Sequence, residues 1–461
     1  MTTPGFHADA AAPAWGERPR LAAWTTALDP PDPFALLRLA NGAPRLFWRE
    51  PEEGLTVVGL GAAAVLRADG PLRAARLQLQ MDHLFAGSVI EADSPLAVQP
   101  RLFGGLSFTP SPEPDALWAD FGPACFVLPR LMVTVTAGGA WLTVGRYDDD
   151  LADSAARIQG LRDEAEAFCA ALGEPPAAAV SAPRWALTPA VSREAWQRMV
   201  TQAVSQIRGG ELRKVVLSRA LEAAADGPFD VIAALERLDS QYPYTYRFLF
   251  EPEGESAFFG ASPELLAEVH ESVLTTAALA GSRRRGRTEA EDAALAAELL
   301  ASPKEREEHQ IVVESILARV TPYARRVEAP SEPGILRLPN IQHLHTPVRA
   351  ELETHFDVLD LVAELHPTPA MGGYPARAAM TAIGELESVA RGWFASPFGW
   401  IDAVGNGVFA VAIRSAIARG SLARLYAGAG IVAESVAEQE WDETGLKFRP
   451  LLNALGAENP A

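Results

Sequence analysis

Two acidic clusters in the second half of the chain have the residue types and spacing for metal chemistry. Each contains two glutamates three positions apart, Glu305 with Glu308 and Glu440 with Glu443. On a helix this spacing puts both carboxylates on one face. Four carboxylates aimed at one point repel each other unless a cation lies between them, and oxygen-only ligands favour a hard ion such as Mg²⁺. The alternative is a solvated acidic helix start, and for Glu305 a capping box that begins at Ser302.

Lys214 and Glu264 are the candidates for a general base and a general acid. Lys214 lies among apolar residues, where a lysine is either an edge-strand residue with a solvated ammonium or a buried amine. Burial would lower the pKa of such an amine, as a general base requires. Glu264 lies between two apolar runs and is either a plain turn residue or a carboxyl kept protonated by apolar surroundings. Such a pair suits addition of water with loss of hydroxide.

Candidate anion-binding groups lie closer to the carboxyl end. Arg414 could hold a carboxylate with its fork of donors, and Lys447 could do so as a point charge. The glycines in the run Gly428, Ala429 and Gly430 would let the backbone approach a ligand and present N–H groups to an anion. Each signal alone is weak, because the cations could be structural and the glycine pair could form a tight turn.

The composition restricts the class of protein. The chain has 461 residues, of which 48% are hydrophobic, enough for one large domain or two to three ordinary ones. The net charge of −19 opposes non-specific binding to nucleic acid or anionic lipid, so an anionic substrate needs local cations or a metal. Cys125 and Cys169 lack metal-ligand spacing, and neither an export signal nor a membrane-spanning stretch is evident. We therefore expect a cytoplasmic protein with no nucleic-acid or membrane partner.

The pattern of apolar runs predicts an α+β protein with long antiparallel sheets. Residues 1–33 are rich in Ala and Pro, which indicates a loose lead-in. Residues 34–188 contain short strands, a helix over 153–172 and a linker-like break over 173–189. Residues 189–456 carry the candidate site. They include a helix after Ser192 and caps at Thr288 and Ser302.

Taken in chain order, these segments resemble the chorismate-utilising enzymes. The similarity is strong over about 190–455, and it rests on residues 214–219, 259–266, 278–283, 304–309, 366–373, 411–414 and 426–447. The resemblance implies one large unit in which antiparallel sheets pack in layers with helices outside. It identifies 34–188 as the variable N-terminal part of that fold and 189–456 as the chorismate-binding catalytic region. Chorismate and Mg²⁺ would lie in a deep central cleft.

The resemblance also implies a role for each candidate. Lys214 would activate a water for attack at C2 of chorismate, and Glu264 would protonate the departing C4 hydroxyl. Four glutamates would hold Mg²⁺ at the ring carboxylate, the first two directly and the others assisting: Glu308, Glu443, Glu305 and Glu440. The remaining implied positions bind substrate: Arg414, Lys447, Gly428, Ala429, Gly430, His366, Thr368, Ala280 and Gly281.

Single positions within the family separate the reactions. Relatives that use ammonia carry Gln where Lys214 stands, so water is the implied nucleophile, and Ala280 replaces the nucleophilic lysine of the aminodeoxychorismate branch. Segments 366–373 and 443–450 look most like isochorismate synthases, and the second favours the menaquinone pathway. The alternatives are a salicylate synthase, a siderophore-pathway isochorismate synthase, an ammonia-dependent synthase with a separate glutaminase, and a non-catalytic binding protein. No glutaminase segment is fused, and the resemblance suggests a monomer or weak dimer.

Overall fold

Long antiparallel strands form the framework of the protein. The computed structural model describes residues 21–40, 44–51, 54–93, 99–147, 154–172, 183–227, 229–337, 341–354 and 356–457. These ranges contain 21 strands joined in one hydrogen-bonded network, with helices packed against it. The fold is therefore α+β, which confirms the prediction from the sequence.

The strands are rich in β-branched and aromatic residues, and several of them alternate buried with more exposed positions, as a sheet packed on a core requires. Their bounds are β1 Leu21–Leu28, β2 Arg45–Arg49, β3 Thr56–Arg67, β4 Val89–Ala92, β5 Arg101–Leu106, β6 Ala124–Thr136, β7 Gly139–Tyr147, β8 Trp185–Pro189, β9 Lys214–Ala225, β10 Tyr246–Glu251, β11 Ser256–Ser262, β12 Leu265–His270, β13 Val273–Arg284, β14 Ala324–Glu328, β15 Gly334–Arg337, β16 Ile341–Leu352, β17 Gly373–Tyr374, β18 Pro397–Asp402, β19 Gly407–Val411, β20 Ser415–Arg419 and β21 Leu422–Ile431.

Six of the helices begin after a residue whose side chain accepts free N–H groups of the first turn. Their bounds are α1 Pro33–Leu39, α2 Arg73–Phe85, α3 Ser154–Ala171, α4 Arg193–Arg208, α5 Val231–Gln241, α6 Glu289–Ala301, α7 Pro303–Val320, α8 Val358–Leu365, α9 Ala376–Leu386 and α10 Ala437–Leu455. The caps predicted at Ser192, Thr288 and Ser302 are confirmed, because each hydroxyl accepts an N–H from the first turn. Within the described ranges, no helix combines the length and apolarity that crossing a bilayer requires.

The strand network divides into two arms that both start from β6. In the first arm, β6 is followed by β3, β2, β10, β11, β20, β21 and β9. In the second arm, β6 is followed by β5, β18, β19, β12, β13 and β16. Helices α4, α5 and α10 pack on the first arm, and α7 and α8 pack on the second. Strands from before and after residue 189 pair directly in both arms, and the division at that residue stays a prediction.

The N-terminal part of the described chain departs from the loose lead-in expected for residues 1–33. Residues 21–28 form β1, and Leu21 and Ala23 are fully buried. This strand pairs with β4 and β7, and the pairing buries its apolar side chains in the core. The expectation is therefore wrong for this strand, while residues 1–20 lie outside the described ranges. In the break expected at 173–189, residues 173–182 also lie outside them and Trp185–Pro189 forms β8.

Candidate active site

Glu264 and Arg414 lie where the chain crosses between the two arms. Glu264 is in the crossing from β11 of the first arm to β12 of the second, and Arg414 is in the return crossing from β19 to β20. The crossings are hydrogen-bonded to each other, because Val411 N–H donates to Glu264 O at 2.9 Å and Ala261 N–H donates to Arg414 O at 3.1 Å. The backbone of Arg414 has a φ of 51°, in the left-handed region that residues other than glycine rarely adopt. Strand topology thus brings an acid and a cation to one place.

Glu264 is a partly buried acid with a strongly perturbed pKa. Burial raises its pKa to about 7, and the positive charges of Arg414, Lys214 and Lys447 only partly offset this effect. Within the described residues, its carboxyl group forms no hydrogen bond or ion pair, and its backbone N–H is fixed by Ser262 Oγ at 3.2 Å. A large part of the Glu264 population is therefore protonated near neutral pH, as a general acid requires.

A small cavity with mostly apolar walls adjoins Glu264. Its other lining residues are Leu265, Leu266, Thr276, Ala277, Leu279, Val312, Ile316, Leu365, Thr368 and Ala370. Thr368 is 8% exposed, and its hydroxyl has no hydrogen-bond partner among the described residues. An unsatisfied hydroxyl is costly to bury, so a polar group of a ligand is its natural partner.

Lys214 begins β9 and faces the first glutamate pair. It is 7% exposed, and its Nζ donates to Glu308 Oε1 at 2.5 Å. Lys214 is therefore a buried amine rather than an edge residue with a solvated ammonium group. Burial by itself would raise the pKa of Glu308, but Lys214, with Lys304 adding to its effect, lowers that pKa below its ordinary value.

Gly430 on β21 makes room for the Lys214 side chain. A Cβ atom added at Gly430 would lie 2.9 Å from Lys214 Cε. We therefore expect Gly430→Ala to push the amine out of place and to lower turnover by about 10- to 100-fold. Gly384→Ala is the matched control, because a Cβ there meets no atom within 4 Å. Steady-state kinetics of both variants would test this role, and equal activities would contradict it.

Arg414 and Lys447 act with Lys214 on the carboxyl group of Glu264, and we call the region bordered by these four residues the cleft. Lys447 Nζ donates to Gly428 O at 2.8 Å and to Glu443 Oε1 at 2.5 Å. Within the described part of the chain, the Arg414 side chain forms no hydrogen bond or ion pair. Burial is the largest cause that lowers the pKa of each group. Two partly buried cations, of which one is paired with a carboxylate, favour a bound anion.

The backbone N–H groups of Gly428 and Gly430 both point away from β9. Ser218 N–H donates to Glu387, and Val216 N–H donates to a carbonyl outside the strand pair. In the register of β9 and β21, Ser218 is opposite Gly428 and Val216 is opposite Gly430. Neither pair is joined by backbone hydrogen bonds. The N–H groups of the two glycines therefore point away from β9. The side chain of Ala429 lies in the core, so this residue can offer only its backbone to a ligand.

Ala280 and Gly281 form a bulge in β13 against the start of α7. Gly281 has a φ of 78°, and a Cβ added there would lie 3.1 Å from Glu305 Oε2. Ala280 O accepts a hydrogen bond from His309 Nδ1 at 3.3 Å. The Glu305 carboxylate thus lies against β13. The capping box is incomplete, because Ser302 N–H donates to Leu299 O instead of to Glu305.

The His366 ring contacts Phe108 in two ways. Its Nε2 lies 3.2 Å from Phe108 O, and its ring packs edge-on against the Phe108 ring. Burial lowers the pKa of His366 to about 3, so the imidazole is neutral near pH 7. In this segment, Thr368 lines the cavity, and a direct substrate contact for His366 stays a prediction.

The two glutamate pairs have the donor chemistry for a hard divalent cation but do not converge as one cluster. Within the described ranges, no three carboxylate, histidine or cysteine side chains are grouped as a ready-made ion site. Glu308 and Glu443 are bonded to Lys214 and Lys447. Burial, with repulsion from Glu443, raises the pKa of Glu440, so negative charge there is incompletely balanced. The four glutamates offer the oxygen ligands that Mg²⁺ prefers, but they are not assembled around one point.

The three lysines of the chain are Lys214, Lys304 and Lys447, and all three lie in this site. Lys304, at the start of α7, lowers the pKa of both Glu308 and Glu440, which places it electrostatically between the two pairs. The lysine ammonium groups of this acidic protein therefore lie close to the two glutamate pairs, where they supply local positive charge.

His343 lies close enough to Arg414 and Lys447 to feel their charge, although its position in the sequence shows no ligand spacing. It lies on β16 opposite Ser282, whose Oγ is 2.7 Å from His343 Nδ1. Burial, with smaller effects from Arg414 and Lys447, lowers the pKa of His343 to about 4. The signal that could have found it is the alternation along 341–352, but using that signal requires the β13–β16 register.

Comparison with known proteins agrees with this geometry. A family model described as "Chorismate binding enzyme" matches residues 8–456. The chain is 37% identical to isochorismate synthase MenF of Bacillus subtilis (strain 168), over 90% of this chain and 88% of that relative. It is 36% identical to the salicylate biosynthesis isochorismate synthase of Pseudomonas aeruginosa, over 96% of this chain and 91% of the relative.

A solved structure extends the similarity to the fold. The menaquinone-specific isochorismate synthase MenF from Escherichia coli superposes with a TM-score of 0.79 at 26% identity, covering 95% of each chain. The family model and these relatives span almost the whole chain, including the cleft between the two arms. The chain belongs to the chorismate binding enzyme family.

Proposed function

We propose that this protein is a Mg²⁺-dependent isochorismate synthase that converts chorismate to isochorismate and serves menaquinone biosynthesis. The observation that carries the proposal is the perturbed carboxyl of Glu264, with a pKa of about 7, in the same cleft as the buried amine of Lys214. Glu264 as the proton donor and Lys214 as the proton acceptor suit a reaction in which water adds to the ring and a hydroxyl group leaves it. The names of the relatives support the same reaction.

In the proposed reaction, Lys214 Nζ accepts a proton from water as the water oxygen bonds to C2 of the ring. The ring double bonds shift, and the C4 hydroxyl leaves with the proton of Glu264 as a second water molecule. The net change is the movement of a hydroxyl from C4 to C2. Proton exchange with solvent returns Lys214 and Glu264 to their starting states.

Binding of the dianionic substrate falls to the cations and amides of the cleft. Arg414, Lys447 and the N–H groups of Gly428 and Gly430 would hold the enolpyruvyl carboxylate. The unpartnered hydroxyl of Thr368 would bind a polar group of the ring. The backbone of Ala280 and Gly281, in the β13 bulge, would border the substrate from the opposite arm.

Magnesium belongs to the proposal through the glutamate pairs. Glu308 and Glu443 would bind it directly and Glu305 and Glu440 would assist, and the bound ion would supply positive charge for the ring carboxylate. We expect Glu443→Gln to raise the Mg²⁺ concentration for half-maximal activity by about 10- to 100-fold. Magnesium titrations with chorismate, and calorimetry of Mg²⁺ binding, would measure the change. Glu438→Gln, at an exposed position near the start of the same helix, should match the wild type, and a normal requirement in Glu443→Gln would contradict the assignment.

Incubation with chorismate and Mg²⁺, followed by chromatography, tests the reaction. Isochorismate as the sole product supports the proposal. Salicylate and pyruvate without a second enzyme would identify a salicylate synthase, and an aminated product with ammonium salts would identify an ammonia-dependent enzyme. No turnover at any Mg²⁺ concentration would leave a binding protein.

The pathway has a second candidate, because one similar relative is named for salicylate biosynthesis. That relative's name would fit supply of isochorismate to a siderophore rather than to menaquinone. Deleting the gene and measuring both classes of product separates the two pathways. A fall in menaquinone supports the first candidate, and a fall confined to salicylate-derived products supports the second.

A further inference from the structure

Glu387 and Arg391 form a buried ion pair that the proposed reaction does not use. Glu387, at the end of α9, accepts from Arg391 Nε at 2.9 Å with its Oε2 and from Arg391 Nη2 at 2.5 Å with its Oε1. The two side chains are 6% and 3% exposed. Such a fork fixes both side chains in one geometry. Desolvation offsets much of the attraction in a buried pair, so stability alone is a weak reason for its presence.

The pair joins two backbone segments. Arg391 Nη2 also donates to Val216 O at 2.7 Å, and Arg391 Nη1 donates to Met371 O at 3.0 Å. Glu387 Oε1 accepts the N–H of Ser218 at 2.7 Å. Val216 and Ser218 belong to β9, whereas Met371 belongs to the loop between α8 and β17. Among the described residues, every side-chain hydrogen bond of the fork ends on one of these two segments or within the pair, and the Arg391 guanidinium also lies over the Phe108 ring, 4.1 Å from its centroid.

Each of the two segments carries a residue of the cleft. β9 begins at Lys214, two positions before Val216. The loop carries Thr368, whose hydroxyl lines the cavity beside Glu264. Thr368 O accepts the N–H of Met371 at 3.0 Å, so the residue held by Arg391 is in the same tight turn as Thr368. The fork thus connects the strand of the base to the loop that borders the acid.

We propose that Glu387 and Arg391 are positioning residues that fix Lys214 relative to the cavity beside Glu264, an inference that rests on the proposed function. Displacing a reacting group by about 1 Å can lower a rate by about 10²-fold. Among the described residues, no hydrogen bond or ion pair joins the fork to Arg414 or Lys447, the cations that would hold the substrate carboxylate. Loosening the fork should therefore lower kcat by a larger factor than it raises the KM for chorismate, to which the Thr368 loop contributes.

The decisive variant is Glu387→Gln, which keeps the shape of the side chain and an oxygen for the Ser218 N–H but removes the charge. Glu251→Gln is the matched control, because Glu251 is also buried and bonded to an arginine, Arg45. It lies at the end of β10 away from the Glu264 crossing. We expect Glu387→Gln to lose about 10- to 100-fold in kcat with a smaller change in KM, and Glu251→Gln to keep the wild-type kcat, with each assay run well below the variant's melting temperature.

Hydrogen exchange supplies a readout that does not depend on the reaction. The Val216 amide donates to Gly372 O and reports on the contact between strand and loop, and the Gly372 amide donates to Thr368 O and reports on the turn within the loop. They should exchange faster in Glu387→Gln and at the wild-type rate in Glu251→Gln. Arg391→Lys, which loses the fork, should repeat the result, and Glu387→Gln decides the matter if Arg391→Lys does not fold.

Two results would overturn the inference: wild-type kcat in Glu387→Gln, or a raised KM with an unchanged kcat. Equal losses of kcat in Glu387→Gln and Glu251→Gln would also overturn it, because both pairs would then be merely structural. A wild-type protein that does not convert chorismate would refute the proposed function instead. In that case, unchanged exchange at Val216 and Gly372 in Glu387→Gln would separately refute the connection between strand and loop.

Discussion

Replacing Lys214 by alanine is expected to lower turnover of chorismate by about 10²- to 10⁴-fold while the protein remains folded, because a general base typically contributes that much. Lys214 is buried at the start of β9, and Glu308 is the one side-chain partner of its ammonium group among the described residues. The main structural change is therefore an unpaired carboxylate at a partly exposed helix start. The measurement is kcat at saturating Mg²⁺, with circular dichroism to confirm the fold.

Two further variants separate the chemistry of Lys214 from its charge. Lys214→Arg keeps a positive charge opposite Glu308, but a guanidinium does not deprotonate near neutral pH, so it should be as inactive as Lys214→Ala. Arg213→Ala is the control, because the neighbouring Arg213 is half exposed and pairs with Glu307 at the surface. It should keep wild-type turnover. Wild-type rates in a folded Lys214→Ala protein would refute the assignment of the base.

Replacing Glu264 by glutamine is expected to lower turnover by a similar factor, about 10²- to 10⁴-fold. Glutamine keeps the shape of the side chain but cannot give up a proton to the leaving hydroxyl. In the wild type, kcat/KM should fall as the pH rises through about 7, because Glu264 ionises there. The residual activity of Glu264→Gln should lack this decline. Glu271→Gln, in an exposed turn nearby, should keep both the rate and the pH profile.

The raised pKa of Glu264 also predicts that Glu264→Gln, which lowers turnover, makes the folded protein more stable at high pH. The pKa of Glu264 is raised in the folded protein from 4.5 to about 7. Stability associated with this group is therefore complete below about pH 4.5 and is lost as the pH rises through about 7. Glu264→Gln should gain up to about 3 kcal/mol in free energy of unfolding over the wild type at pH 8, and this gain should vanish near pH 4. Denaturant unfolding at both pH values measures it, and a less stable variant at pH 8 would contradict the buried carboxyl.

Local chemistry in the sequence predicts much of the fold. The α+β class and the caps at Ser192 and Ser302 follow from the spacing of apolar residues and from side chains that can bond free N–H groups. β1 was missed, because four apolar residues after an Ala- and Pro-rich stretch have no periodicity of their own. Only the pairing with β4 and β7 makes them a strand, and that pairing is non-local.

The candidate site was predictable in its residue types but not in its contacts. Lys214 and Glu264 stand out because a charge among apolar residues needs a partner or a shifted pKa. The sequence does not show that Glu264 and Arg414 lie on adjacent crossings between two arms. It also does not show that Glu305 turns away from its cap or that His343 lies near Arg414. These facts depend on strand register, and a local pattern carries no information about which distant strand is opposite.

The placement of all three lysines in the cleft gives the protein a built-in spectroscopic probe. Reductive methylation with ¹³C-formaldehyde would label only Lys214, Lys304, Lys447 and the amino terminus, so an NMR spectrum would contain a handful of resolvable signals. Each lysine signal would report on a different part of the cleft: the base, the gap between the glutamate pairs, and the carboxylate clamp. Titrating magnesium and chorismate separately would then reveal the order in which the two ligands disturb these environments.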